Sequence, residues 1–157
     1  MVEPTEVRSR SEIESEISRA IIRFEKEYMG RGPLEARSYL LGDLLVVRLK
    51  KVLTPAEVKL AEVSDPQRGR YLLKQTRQQL IEHGRPRLDA IIHDICGVRC
   101  VSLHTDISTK TGERIIVFTL ERAPTVRPRG DGKVGARPGR RVPASVSADS
   151  SSDRESL

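Results

Sequence analysis

Tyr28-Met29-Gly30-Arg31-Gly32-Pro33 is the stretch whose reading decides the fold. Gly30 and Gly32 accept positive φ at no steric cost, and Pro33 pushes Gly32 out of helical geometry, so an amphipathic helix running into this point must stop and the chain must turn back. Upstream, Ile13, Ile17, Ala20, Ile21, Phe24 and Tyr28 recur at steps of three and four and form one apolar stripe. Ser11 and Glu14 have the spacing of a capping box, which predicts the helix start there.

Downstream of Pro33 the period changes to two. Ala36 to Leu41 and Leu44 to Val52 flank Gly42-Asp43, a pair suited to a two-residue hairpin turn. That turn sets Leu41 against Leu44, Leu40 against Leu45 and Tyr39 against Val46, with Leu40, Leu45, Val47 and Leu49 facing the helix and Arg48 and Lys50 facing away. Thr54-Pro55-Ala56-Glu57 reads as N-cap, first-turn proline and third-position carboxylate, opening a short helix that Asp65-Pro66 interrupts. Beyond Tyr71, Leu73, Leu80, Leu88, Ile91 and Ile95 keep one helical phase across His83-Gly84-Arg85-Pro86. One long helix kinked near Pro86 is expected, with two helices as the alternative, ended by Gly97.

Val98 to Ile107 and Glu113 to Leu120 form a second hairpin. A four-residue loop, Thr109 to Gly112, sets Leu103 against Phe118, Thr105 against Ile116 and Val101 against Leu120, collecting apolar side chains on one face. A five-residue loop from Ser108 would instead face His104 with Ile116 and Ser102 with Phe118. The class is therefore α+β: helix, hairpin, helices, hairpin, an antiparallel sheet with helices on one face. Its edge strands leave room for pairing with a second copy, a homodimer.

The apolar content of 37% over 157 residues supports one core. Residues 1–9 are expected to be a flexible N-terminus, 10–122 the domain, and 123–157 a disordered basic and Ser-rich tail. That tail holds seven basic groups against four acids, half of the net charge of +6, so the high pI does not by itself describe a basic face on the folded part. With no apolar run near membrane-spanning length and no signal-type N-terminus, a soluble cytoplasmic protein is expected. Cys96 and Cys100 read as small residues at a helix end and a strand start, and with three histidines in the chain no zinc set, other metal site or cofactor is expected.

Little in the chain points to chemistry. His104 and Asp106 project from one strand face and could pair as imidazole and carboxylate, the basis of an alternative reading as a small-ligand-binding or enzymatic domain. Ser102 and Cys100 share that face, but a polar face opposite an apolar one is what any half-solvated strand shows, and no nucleophile or metal set is visible beside the pair. Arg31, presented by Gly30 and Gly32 next to Tyr28, is a candidate partner contact; a phosphate cradle would open a helix rather than follow one. Arg48, Lys50 and Lys51 read as a solvated face, and with 3% aromatics no stacking platform for nucleic acid is visible. Nonspecific, salt-sensitive nucleic-acid binding through the basic tail is a further alternative.

Three stretches together carry a family likeness: Glu25 to Pro33, Leu45 to Glu57 and His104 to Leu120. From about residue 10 to 122 the chain resembles the MpsC family, small bacterial proteins named for a Na+-translocating, membrane-potential-generating system, many of them without an assigned function. The resemblance implies a non-catalytic cytosolic accessory or regulatory protein acting through protein contacts. It implies a membrane transporter subunit as partner, a place at the inner face of the plasma membrane, and no catalytic residues.

Overall fold

The computed structural model describes residues 6–63 and 65–129. The expected tail from 130 onward and residues 1–5 lie outside the described residues. The elements are α1 (Arg10–Met29), β1 (Glu35–Leu41), β2 (Leu44–Lys50), α2 (Pro55–Ala61), α3 (Pro66–Cys96), β3 (Cys100–Ile107) and β4 (Arg114–Leu120). The four strands form one antiparallel sheet in the order β1-β2-β4-β3, so the two hairpins lie side by side and join through β2 and β4. α1 packs on β1, α3 on β3, and the two helices pack on each other.

The first hairpin has the predicted register, with Leu41 opposite Leu44, Leu40 opposite Leu45 and Tyr39 opposite Val46. Across the centre Leu45 meets Phe118 and Val47 meets Ile116, all four fully buried beneath the helices. Ile17, Ile21 and Phe24 of α1 and Leu88 and Ile92 of α3 close this core from above. α3 runs unbroken through Pro86, although proline removes one helical hydrogen bond, because burial of Ile81, Leu88 and Ile92 continues on both sides. In the second hairpin the Ser108 and Glu113 backbones bracket the four-residue loop, and Leu103 faces Phe118 as expected.

Several expectations need correction. The capping box of α1 is Ser9 with Glu12, not Ser11 with Glu14, because Glu14 instead accepts the Leu40 backbone N–H at 2.9 Å. That bond closes part of the β1 edge, helped by Ser18 Oγ on Ser38 Oγ at 2.8 Å, so sheet extension across a dimer would have to run along β3. Val101 does not face Leu120. A bulge between Cys100 and Ser102 puts Cys100 there and leaves Val101 63% exposed. Of the two turn glycines only Gly30 takes positive φ, at 80° as the cap of α1. Residues 6–9 and 123–129, expected in the flexible ends, pack on each other: Pro124 is buried, Val126 joins the core, and Arg127 N–H donates to Arg8 O at 2.9 Å.

Two glycines set how closely the helices approach. A Cβ on Gly69 would stand 2.0 Å from the Leu60 carbonyl oxygen, and one on Gly84 would stand 2.8 Å from Cζ of the fully buried Phe24. Alanine improves helix propensity by about 1 kcal/mol, but overpacking of this kind costs about 1–3 kcal/mol. Both Gly69→Ala and Gly84→Ala should therefore lower the urea midpoint, Gly69→Ala more, since a backbone carbonyl cannot rotate away as a ring can tilt. Unchanged midpoints would refute the close approach.

Candidate functional site

Three helices and a strand place four charged side chains around one buried point. Glu25 of α1 is 0% exposed, and Arg77 of α3 and Arg114 of β4 are 2% and 1%. The Arg77 guanidinium donates through Nε and Nη2 to the two oxygens of Glu57 in α2, both at 2.7 Å, and through Nη2 to the Val52 carbonyl at 2.9 Å. Its Nη1 reaches Glu25 at 3.5 Å, and Arg114 Nη1 reaches the other Glu25 oxygen at 3.3 Å while its Nε donates to Thr105 Oγ1 at 3.1 Å.

The two carboxylates sit in different fields. Burial pushes the Glu25 carboxyl up, and Arg114 and Arg77 offset this only in part, as bonds longer than the usual 2.7–2.9 Å of charge-assisted pairs would have it. Burial lowers Arg114 for the same reason. Glu57 is also penalised by burial, but the Arg77 bonds and the Thr54 N–H at 2.7 Å outweigh this and hold it below the usual range.

The residues singled out from the sequence fall in two places. Tyr28 turns inward, stacked on Phe24 at 5.0 Å and hydrogen-bonded through its hydroxyl to His83 Nδ1. Arg31 stays at the surface, one guanidinium nitrogen 3.3 Å from the Leu53 carbonyl, beside an open cleft of about 1020 Å³. Gly30 caps the helix, and Gly32 has only ordinary contacts where a Cβ would stand. His104 and Asp106 share the outer face of β3, both exposed, but the structure does not join them: Lys74 of α3 takes both Asp106 oxygens at 2.9 and 3.2 Å and holds the carboxyl below its usual range. Cys96 is buried, which lifts its thiol to about 11, far from a reactive thiolate at neutral pH.

Sequence reasoning missed the Glu25 network and the cleft. The cleft is lined by Arg31, Lys51, Lys59, Arg70 and Lys110, with Glu62 as its one carboxylate among the described residues and Leu53 and Val58 among its apolar ones. Lys51 is the one non-glycine residue at positive φ, 55°, among those described. Its strand neighbours Arg48 and Lys50 pair with Glu113 and Glu35 on the outer sheet face.

The sequence pattern of the family described as "Na+-translocating membrane potential-generating system (MpsC)" matches residues 9–122. The chain is also similar to "Uncharacterized protein YbcI" of Bacillus subtilis (strain 168), 44% identical over 113 residues, 72% of this chain and 89% of that protein. No solved structure matches. The chain belongs to the MpsC family.

Removing Arg77 would leave Glu25 and Glu57 without their shared cation, and breaking a buried pair from one side costs about 3–5 kcal/mol. Arg77→Met should lose stability on that scale in urea melts. The pH dependence separates the carboxylates. Glu25, raised in the fold, contributes stability that is complete below the unfolded value of 4.5 and drains as pH rises through its folded value. Glu57, lowered in the fold, contributes stability present above 4.5 and lost as pH falls through its folded value. Glu25→Gln should abolish the first trend and keep the second; parallel pH profiles for variant and wild type would sink the assignment.

Proposed function

We propose that this member of the MpsC family is a non-catalytic accessory module that acts by protein contact on a subunit of a cation-translocating membrane system, as a peripheral protein on the cytoplasmic side. Among the described residues no helix is long and apolar enough to cross a membrane, so a part in ion translocation would run through such a subunit. The observation that carries the reading is the sheet face turned away from the helices. Register places Tyr39, Val46, Val117 and His104 in one row across all four strands, flanked by Leu41 and Leu44 in the next. Tyr39 and Leu41 are 41% and 59% exposed, and among the described residues no helix packs on this side. Large apolar side chains gathered on an uncovered sheet are a contact surface rather than a reaction site. The His104 and Asp106 reading loses support because Lys74 occupies the carboxylate.

The test is a pull-down of the tagged full chain from a native membrane fraction, read by mass spectrometry. Wild type should retain a polytopic cation-translocating subunit, and Tyr39→Asp with Leu41→Glu should lose it while melting at the same temperature. Arg31→Ala in parallel asks whether the turn after α1 adds to the contact. Failure of wild type to retain such a subunit, or equal retention by the face variant, would overturn the proposal. So would a dimer that the face variant splits into monomers on sedimentation, because a second copy would then cover the face.

A further inference from the structure

Many cations of the described surface are matched. Arg8, Arg37, Arg48, Lys50, Lys74, Arg85, Arg87, Arg122 and Arg127 each stand within ion-pair distance of a carboxylate. In the cleft, by contrast, none is: among the described residues no carboxylate pairs with Arg31, Lys51, Lys59, Arg70 or Lys110, and whereas Arg19, Arg23 and Arg99 are also unpaired but stand outside it, these five share one cavity. These five come from five separate segments: the turn after α1, the exit of β2, α2, the first turns of α3 and the β3–β4 loop. Among the described residues Glu62 alone offsets them within the cleft. Like charges brought round one concavity repel, and low-dielectric walls focus their field on its centre, so the arrangement is best compensated by an anion held there.

We propose that this cleft binds a compact, multiply charged phosphate ester. The cations surround one cavity of about 1020 Å³ rather than lining a track, which suits a concentrated charge better than an extended acidic peptide or a nucleic-acid strand. Among the described residues no aromatic side chain lines the cleft to stack a strand of bases. Arginine supplies planar forks for phosphate oxygens and lysine supplies point charges, while Leu53 and Val58 give an organic body an apolar surface to lie on. The same phosphate chemistry reaches a protein from solution, on a nucleotide, or from a bilayer, on an anionic lipid headgroup.

Calorimetry of the full chain with inorganic tripolyphosphate tests the site, and flotation with phosphatidylcholine vesicles, with and without phosphatidylglycerol, tests the lipid source. Lys59→Ala/Arg70→Ala/Lys110→Ala should weaken tripolyphosphate binding at least about tenfold, a loss of about 1.4 kcal/mol. Arg19→Ala/Arg23→Ala/Arg99→Ala removes as many exposed cations outside the cleft and should leave it nearly unchanged. Residues 130–157 are common to all variants, so their charge cancels in the comparison. Lys110→Ala alone, in an exposed loop, should shift binding in the same direction and guards against misfolding of the triple variant. Phosphatidylglycerol-dependent flotation lost only in the cleft variant would identify the lipid source; tripolyphosphate discrimination without such flotation would identify a soluble one. Absence of binding to both probes, or equal loss in the two triple variants, would overturn the proposal.

Discussion

Glu25, sealed between Arg77 and Arg114, is the constraint on which the remaining architecture depends. Through Arg77 it is tied to Glu57 and to the Val52 carbonyl, and through Arg114 to Thr105, so one cluster touches all three helices, the exit of β2 and the second hairpin. Burying these charges has a desolvation cost that hydrophobic residues of similar shape would avoid. What the cluster contributes is placement. α2 has seven residues of which only Ala61 is buried, too little apolar contact to fix its position, and the paired bonds from Arg77 to Glu57 set where it lies.

The parts of the fold legible in the sequence are those in which one period ran without a charged member. Leu45, Val47 and Leu49 alternate cleanly, and Gly42-Asp43 leaves one sensible register. The long third helix was legible from its apolar residues, but its inward stripe was not. The buried positions are Gly69, Leu73, Arg77, Ile81, Gly84, Leu88, Ile92 and Cys96, whereas an apolar-only reading skips Arg77 and Gly84 and drifts toward Leu80 and Ile91. Arg114 likewise stands in phase with Ile116, Phe118 and Leu120. The signal existed in both cases: a charged residue at a core position of a regular pattern. The expectation that arginine faces water overrode it.

The candidate site was less legible because its cations have no local pattern. Residues 31, 51, 59, 70 and 110 form no run, and the one run that includes Lys51 pointed elsewhere. Positive φ at Lys51 turns it out of the alternation of Arg48 and Lys50, and the next residue, Val52, donates its N–H to Gly112 across the loop of the second hairpin. His104 and Asp106 failed for the opposite reason. Their strand spacing is local and was correctly placed on one face, but Lys74, distant in sequence, decides what the carboxylate binds.

The same network that shapes the cleft also determines what stays uncovered. α1 and α3 cover one face of the sheet, and α2 is the remaining described helix that could cross the other. Arg77 holds α2 against α3 on the helical side, where Lys59 and Glu62 become a wall of the cleft. The outer face keeps its row of Tyr39, Val46 and Val117, which no helix among the described residues covers. Basic cleft and apolar sheet face are thus two consequences of where one short helix is anchored, and the anchor is a carboxylate–guanidinium bond that local sequence patterns do not reveal.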